Sequence, residues 1–403
     1  MFKKLFENYE QLYSELVQFR RDLHMYPEVS HEEVETPKKI AAYLRKLGLE
    51  VREGVGGNGV VARLQGGKPG KTIALRADFD ALPIQDEKEV AYKSRVPGVM
   101  HACGHDIHTA SLLGVANVLS RYRDEIEGNV VFIHQFAEEV SPGGAEAMIA
   151  DGCLEGVDEI YGAHVWSEDP VGQISFCEGF AMAAADIFEI NVFGQGGHGA
   201  QPHKTIDPIT ASCQLVSNLQ QIASRKTDPL KAVVVTVGAF QSGKALNVIP
   251  DKVYLGGTVR SFDEEVRDET EALIRKMTAS TCDVFGAKAE VHYVRGHAAV
   301  YNHPTETKKV KTLAQHLFGK EHVIDKEPIM GAEDFGYYLQ KVPGTFFFVG
   351  GRNPELNAVY SHHHPKFDVD EKAMINIGKT FLSIIFEKQI REQKEGAEQQ
   401  IKN

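Results

Sequence analysis

One cysteine and three histidines are close together in the segment 100–108, at His101, Cys103, His105 and His108. Thiolate and imidazole are the side chains that zinc and its neighbouring transition metals prefer as ligands. The segment therefore indicates a metal site. The same residues also fit a nucleophilic cysteine activated by a histidine, or a buried cysteine beside surface histidines. The segment alone does not separate these alternatives.

Two adjacent carboxylates, Glu138 and Glu139, follow the apolar segment 130–133. Neighbouring side chains of extended backbone point in opposite directions, so one carboxylate can bind a cation while the other faces substrate. A carboxylate beside a metal-bound water is a ready general base. A solvated acidic loop is the alternative, but it explains less well why the pair follows so apolar a strand.

Further histidines are found later in the chain. His164 follows a predicted strand, and 362–364 is a run of three consecutive histidines. A lone histidine at a strand end usually has a structural hydrogen-bonding role, whereas three in a row favour a metal or catalytic role. The donors gathered in this way are Cys103, His105, Glu139, His164 and one histidine of the run. Five donors exceed one four-coordinate site and suit two ions that share a bridge.

A second chemical signature lies in mid-chain, where His198 stands in the glycine-rich segment 194–199. Glycine permits positive φ and close approach of a ligand or a second chain, although a tight strand connection with nothing bound fits equally. The missing Gly-Lys-Ser/Thr element disfavours a phosphate loop. Asn247 and Arg260 add an amide and a guanidinium. Arg260 can clamp a carboxylate or pair with a surface acid such as Asp263.

The predicted elements bring the first set of candidates to one edge of a sheet. Strands alternate with helices, which is typical of a mainly parallel sheet covered by helices on both faces. The strands are predicted at 72–77, 129–135 and 159–163, and the helices at 109–122 and 143–150. Asp78, Asp80, Glu138, Glu139 and His164 all follow strand ends, where open α/β sheets bind their ligands.

The middle of the chain has a different arrangement, with the order β-α-β-β-α-β that is typical of a ferredoxin-like sandwich. Its strands are predicted at 187–193, 232–237, 253–260 and 288–294, and its helices at 207–226 and 264–285. The alternation of helices and strands seen in the first part of the chain then returns, with a helix at 306–318, a strand at 345–349 and a helix at 371–387. We therefore predict an α/β domain at 1–181 and 298–390, an inserted domain at 182–297 and a polar tail at 391–403.

The composition narrows the possible partners. The 403 residues are 42% hydrophobic and 25% charged, as expected for one large or two ordinary globular domains. The net charge of -12 disfavours nucleic acid and anionic membranes. No apolar run approaches the ~20 residues that cross a bilayer, and the first residues turn polar too soon for a secretory signal. The five scattered cysteines favour a reducing cytoplasm over a disulfide framework.

Taken together, these motifs resemble the M20 metallopeptidase family, in particular its subfamily D of aminoacylases and hippurate hydrolases. The resemblance covers about residues 15–388. The matching segments are 20–24, 27–28, 76–83, 100–108, 135–139, 196–198, 247–250, 331–335 and 363–368. The Cys-Gly-His-Asp element at 103–106, combined with the Glu138-Glu139 pair, is the most specific part. Phe136 departs from the pattern, which usually has proline there.

The resemblance implies a two-metal catalytic domain with an inserted lid domain that also forms a homodimer or a tetramer. It implies the metal ligands Cys103, His105, Glu139, His164 and His363, with Cys103 as the bridge. His363 is preferred to His362 because the family's histidine stands two residues before a proline, here Pro365.

The resemblance also implies roles for five further residues. Glu138 would be the general base, and Asp80 would orient a ligand histidine. His198, Asn247 and Arg260 would face the substrate, with His198 acting on the partner subunit's site.

The implied activity is hydrolysis of the acyl-amide bond of N-acyl amino acids by a cytoplasmic, metal-dependent amidohydrolase. Two divalent ions per subunit are expected, zinc or manganese, with cobalt or nickel as alternatives. A dipeptidase or carboxypeptidase of the same family is the near alternative. A cysteine-nucleophile hydrolase using Cys103 and His105, or a non-catalytic binding protein, are the alternatives from other classes.

Overall fold

The computed structural model describes residues 2–387 and divides the chain into two compact units. The second unit comprises Met182–Val300 and Pro328–Glu333, and the first unit comprises the rest. The sequence predicted an insertion at 182–297, and the compact unit continues three residues further and adds a short later segment. The predicted tail at 391–403 lies outside the described residues.

The helices are α1 (Phe2–Gln11), α2 (Tyr13–Met25), α3 (Glu35–Lys46), α4 (His105–Ser120), α5 (Ala145–Ala150), α6 (Pro208–Leu219), α7 (Glu264–Val284), α8 (Pro304–Phe318), α9 (Gly336–Leu339) and α10 (Ala373–Ile385). The strands are β1 (Glu50–Val55), β2 (Gly59–Gln65), β3 (Lys68–Asp78), β4 (Glu127–Gln135), β5 (Glu159–Pro170), β6 (Ile174–Phe176), β7 (Gly179–Met182), β8 (Ala184–Phe193), β9 (Gly197–His198), β10 (Val233–Ser242), β11 (Val248–Ile249), β12 (Lys252–Ser261), β13 (Lys288–Arg295), β14 (Val300–Asn302), β15 (Val323–Asp325) and β16 (Gly344–Arg352).

The first unit is built on an eight-stranded sheet in the order β1-β2-β4-β3-β5-β16-β6-β15. Its central strands β4, β3, β5 and β16 are parallel, while β2 and β6 flank them antiparallel. A strand covered on both faces is apolar throughout, and Val130–Ile133 of β4 is fully buried in this way. The mainly parallel centre confirms the predicted fold class, although the sequence analysis missed the strands β1, β2, β6 and β15 of this sheet.

Two boundaries in the first unit differ from the prediction and matter for the site. Helix α4 begins at His105 rather than at residue 109. The prediction that a strand ends before His164 is wrong, because β5 continues to Pro170. The parallel pairing of β16 with β5 runs past His164 through Val165 and Trp166, which keeps the backbone extended there.

The second unit contains a four-stranded antiparallel sheet in the order β10-β12-β8-β13. Numbered by their position in this unit, the strands have the order 2-3-1-4 of a ferredoxin-like sheet, as the element order predicted. Side chains from alternate positions of the strands pack with α6 and α7 in a separate apolar core, which includes Phe188, Leu215, Leu255 and Ile274. The helix predicted at 207–226 is instead α6 followed by a π-helical turn at Ile222–Lys226.

Candidate active site

The metal-ligand candidates of the first unit lie close together. Most of them are on segments that follow the central strands or begin α4, whereas His164 lies within β5. One group of donors is Cys103, His105 and His164, and another is Cys103, Glu139 and His363. Within each group the donor atoms all lie within 4.8 Å of one another. The two groups share the Cys103 sulfur, as expected for two ions joined by a bridging thiolate.

A glycine lets the cysteine and the first histidine face the same site. Gly104 precedes α4 with φ of 96°, a left-handed conformation that favours glycine. A Cβ at this position would lie 2.3 Å from a methyl carbon of Val165. Glycine is therefore required at position 104, between the cysteine and the histidine, both by the backbone conformation and by close packing against β5.

Asp80 orients His105 and also holds the backbone of Glu139. Its Oδ1 lies 3.0 Å from His105 Nδ1, and its Oδ2 accepts hydrogen bonds from the Glu139 backbone N–H at 3.0 Å and from Ser30 Oγ at 2.7 Å. Burial opposes a charge on His105, but the carboxylates of Asp78, Asp80 and Glu139 raise the pKa of His105 to about 10. His105 Nε2 is thus aimed into a strongly negative site.

Cys103 lies beside His164, with 3.4 Å between Sγ and Nε2. The other ring nitrogen, Nδ1, is 2.7 Å from the carbonyl oxygen of Val165, which can only accept. His164 Nε2 therefore presents its lone pair toward the sulfur. Burial, together with Glu139 and Glu138, raises the pKa of the Cys103 thiol well above its usual value. Such a thiol is a weak nucleophile, because the thiolate is the reactive form.

The three late histidines have different surroundings. His363 Nε2 lies 3.4 Å from Glu139 Oε2, and the His363 backbone, with φ of 64°, donates a hydrogen bond to Ala102 O at 2.8 Å. His362 Nε2 accepts a hydrogen bond from the backbone N–H of Ser167, and His364 stacks on Tyr360. Among the described residues, only His363 of the three belongs to a group of metal donors.

Sequence reasoning missed the pairing of His108 with Asp78. His108 Nδ1 lies 2.6 Å from Asp78 Oδ1, and its Nε2 accepts a hydrogen bond from the Val165 backbone N–H at 2.8 Å. Both ring nitrogens therefore have partners, and His108 links α4 to β5. Asp78, His105 and His108 are also a group whose donor atoms lie within 4.8 Å of one another.

It also missed a buried ionic network behind α4. The Arg20 guanidinium is fully buried and forms ion pairs with Asp106 at 2.8 Å, Asp368 at 3.1 Å and Glu371 at 3.3 Å. These carboxylates follow His105 and His363 in the chain by one to eight residues, so the network anchors the two segments that carry these metal-ligand candidates. The segment Arg-Arg-Asp-Leu-His at 20–24 was the sequence feature that could have indicated this network. Its pattern does not identify which residues pair with Arg20.

The substrate-binding candidates lie in the second unit. His198 and Asn247 are adjacent there, because Gly199 N donates to Asn247 O at 2.8 Å. The Ala200 backbone N–H donates to His198 Nδ1 at 3.1 Å, so in the neutral ring the exposed Nε2 carries the proton. Arg260 is half-buried and makes no ion pair with any described residue. Asp263, the acid that the sequence offered as its surface partner, pairs with Lys231 instead.

The glycines around His198 are explained by close packing and not by positive φ. A Cβ at Gly194 would lie 2.1 Å from Ile206 O, and one at Gly196 would lie 2.6 Å from Ile249 O. Neither residue has positive φ. The glycine-rich segment thus has a structural reason of its own, whatever His198 does.

The residues of the first unit fit a metal centre. His105 Nε2 and Glu139 Oε1 are buried without a hydrogen-bond partner among the described residues, and they lie 3.8 Å apart. Unpaired buried polar atoms are costly unless a ligand satisfies them. The donors around them are imidazole, thiolate and carboxylate, the set that borderline divalent metals prefer.

The sequence profile of peptidase family M20/M25/M40 matches residues 74–387. The chain belongs to this family. It is thus a hydrolase of the M20 family, and the resemblance drawn from the sequence is confirmed.

Individual M20 relatives cover nearly the whole chain. YhaA of Bacillus subtilis, named provisionally as an amidohydrolase, is 52% identical over 94% of this chain and 95% of its own. Thermostable carboxypeptidase 1 of Saccharolobus solfataricus is 42% identical over 92% and 95%, respectively. N-acetyl-L-cysteine deacetylase of Bacillus subtilis is 40% identical over 91% and 86%.

A solved M20 structure supports the metal centre. The YXEP protein of Bacillus subtilis, described as a dinuclear metal-binding peptidase, superimposes with a TM-score of 0.81 at 37% identity. The alignment covers 93% of this chain and 98% of that one.

A membrane-spanning helix must be both long and apolar. None of the helices within residues 2–387 meets both conditions.

Proposed function

We propose that this protein is an amidohydrolase that cleaves N-acyl amino acids into a carboxylic acid and a free amino acid, using two divalent metal ions. The observation that carries the proposal is the pair of unsatisfied buried atoms, His105 Nε2 and Glu139 Oε1, beside the Cys103 sulfur. The ligands proposed are Cys103, His105, Glu139, His164 and His363.

When bound, such ions lower the pKa of water and polarise a carbonyl oxygen. Zinc or manganese suits the mixed donor set, and cobalt or nickel are alternatives. The proton transfers and the binding of the substrate are assigned to side chains of this protein. Glu138 is buried beside the ligands, with Oε2 at 3.9 Å from His105 Nε2. We assign Glu138 to take a proton from the attacking water and return it to the leaving amide nitrogen.

The second unit supplies groups that suit the rest of the substrate. His198 Nε2–H is a donor suited to the developing oxyanion. The Arg260 guanidinium, which lacks an ion-pair partner among the described residues, matches the geometry of a free carboxylate, and Asn247 adds an amide. A free α-carboxylate beside the scissile amide is the feature that N-acyl amino acids share.

A carboxypeptidase is the second candidate, because one of the reported relatives is named as such. It needs the same chemistry and differs in the acyl side of the substrate. A cysteine-nucleophile mechanism is disfavoured by the raised pKa of Cys103.

The test is an activity screen on chelated protein reloaded with each metal separately. N-acetyl and longer N-acyl amino acids are compared with dipeptides and N-blocked peptides. We expect reversible loss with chelator and highest kcat/KM on N-acyl amino acids. Preference for peptides would establish the carboxypeptidase, and full activity in the chelated protein would refute the metal mechanism. Loss of metal from Cys103→Ala would further oppose the nucleophile.

We propose in addition that the second unit forms a homodimer through which His198 acts on the partner subunit's site. Strand β10 is an edge of its sheet, and its side chains Val234 and Phe240 are 39% and 42% exposed. Unpaired edges favour association with another strand. Mixed dimers of Glu138→Gln and His198→Ala subunits should regain about half of normal activity, since two-fold symmetry leaves one intact site. Inactive, verified mixed dimers would refute action in trans.

A further inference from the structure

The proposed function leaves His362 without a role, although its ring lies against the proposed bridging ligand. His362 Nδ1 is 3.8 Å from Cys103 Sγ, within hydrogen-bonding range for sulfur. The ring is held between Trp166, at 4.8 Å between ring centroids, and Phe367, at 5.0 Å. These contacts leave the ring little freedom to turn away from the sulfur.

The backbone of β5 determines which nitrogen of His362 carries the proton. The N–H of Ser167 donates a hydrogen bond to His362 Nε2 at 3.1 Å. A nitrogen that accepts such a bond cannot itself be protonated, so the ring is neutral and its proton is on Nδ1. The N–H group of His362 is therefore the one that faces Cys103.

We propose that His362 is a positioning residue that donates an Nδ1–H···Sγ hydrogen bond to Cys103 when this side chain binds metal as a thiolate. The inference rests on the proposed function, since it needs Cys103 as a metal ligand. A charged sulfur is a much better acceptor than a neutral thiol. The hydrogen bond withdraws electron density from the sulfur and fixes its direction, as outer hydrogen bonds do for other metal ligands. With metal bound at Cys103, His362 would thus moderate how strongly the sulfur donates to it.

The same geometry separates His362 from a direct ligand. A metal bound at Nδ1 would need the proton to leave that nitrogen, and Nε2 is already occupied by Ser167 N–H. His363, by contrast, faces Glu139 with Nε2. The two adjacent histidines therefore have different roles. His362 donates a hydrogen bond to the Cys103 sulfur, and His363 is a proposed metal ligand.

The test uses the full-length protein loaded with Co²⁺, whose thiolate-to-cobalt charge-transfer absorption reports directly on the sulfur. His362→Leu and His362→Phe remove the donor, and the second variant keeps a ring between Trp166 and Phe367. His362→Asn places an amide N–H near the position of Nδ1. His364→Leu is the matched control, because His364 stacks on Tyr360 and is not among the metal donor groups of the described residues.

We expect two cobalt ions per subunit in all four variants. The charge-transfer band should shift to lower energy in both donor-free variants, return toward the wild-type position in His362→Asn, and stay unchanged in His364→Leu. An unshifted band in a fully loaded donor-free variant would overturn the inference alone. Loss of one cobalt ion from both donor-free variants would also overturn it, by making His362 a ligand. A wild-type protein without any thiolate band would refute the cysteine bridge of the proposed function as well.

Discussion

Glu33 accepts a hydrogen bond of 2.9 Å through its Oε1 from the backbone N–H of Ala137. Ala137 has φ of 50°, a left-handed conformation that costs a residue with a Cβ roughly 1–2 kcal/mol. Ala137 directly precedes Glu138 and Glu139. The buried Glu33 side chain therefore stabilises the turn from which Glu138 and Glu139 project, and Asn58 Nδ2 donates to its other oxygen at 3.0 Å.

Replacing Glu33 by leucine is expected to lower kcat on N-acyl amino acids by about 10-fold to 100-fold with a smaller change in KM, since ~1 Å of misplacement can have that effect. Glu33→Gln keeps an oxygen acceptor for Ala137 N–H and should recover most of the kcat. Glu32→Gln, at the exposed neighbouring position, is the control. A Glu33→Leu enzyme within two-fold of wild-type kcat would contradict this role.

Glu33 should also make stability depend on pH in a definite direction. Burial raises the pKa of Glu33 to about 7, against ~4.3 in an unfolded chain. The folded protein binds this proton more tightly than the unfolded chain does. The resulting stabilisation of the folded state is complete below about pH 4.3 and is lost as the pH rises through 7. Glu33→Gln cannot ionise, so its free energy of unfolding relative to wild type should increase from pH 5 to 7.5.

Urea unfolding of chelated protein measures this difference. The fluorescence of Trp166, the one tryptophan in the sequence, reports on the first unit. A difference that stays constant with pH would mean that Glu33 does not titrate in this range.

Glu138→Gln is expected to lower kcat by ~10²–10⁴-fold, the usual effect of losing a general acid-base group. Metal content should remain at the wild-type value, because Glu139 and the other proposed ligands are intact. Metal analysis and steady-state kinetics on the same sample decide the matter. Near-normal turnover would remove Glu138 from the mechanism.

Asp80→Ala should weaken metal affinity by ~10–100-fold, because His105 loses the carboxylate that orients its ring and raises its basicity. Ser30→Ala removes only one donor to Asp80 and should have a much smaller effect. Competition with a chromogenic chelator gives both affinities. Equal effects of the two substitutions would argue against an orienting role for Asp80.

Arg20→Met leaves three buried or nearly buried carboxylates without their common cation, and breaking a buried pair in this way costs about 3–5 kcal/mol. Arg21→Met is the matched substitution, since the Arg21 side chain is 35% exposed and, within residues 2–387, forms an ion pair with Glu371 alone. Its cost should be ~1 kcal/mol or less. Comparable losses in urea unfolding would show that the Arg20 network is not stabilising as a unit.

The sequence predicted which candidate side chains the fold brings together better than it predicted the contacts that orient them. Position after an apolar strand was enough to select Glu138 and Glu139, and the cluster of cysteine and histidines at 100–108 was enough to select His105, because both are local properties of the sequence. The partners of Arg20 are found up to 351 residues away, and Asp334, which binds Arg76, is 258 residues away. No periodicity or spacing encodes such pairs. The roles of His362 and Glu33 likewise depend on backbone groups of β5 and of the turn at Ala137, which only the folded chain brings near.

The position of β16 has a consequence for biosynthesis. This strand lies between β5 and β6 in the sheet, yet it follows the second unit in the chain. At ~5–20 residues per second, the ribosome needs roughly 10–35 s to pass from the end of β5 to the end of β16. During that interval β5 has one unpaired edge, and His363 has not yet been made. The proposed metal centre, with His363 as a ligand, can therefore be completed only after nearly the whole polypeptide has been translated. A nascent chain is thus exposed to aggregation at a strand that the finished protein buries.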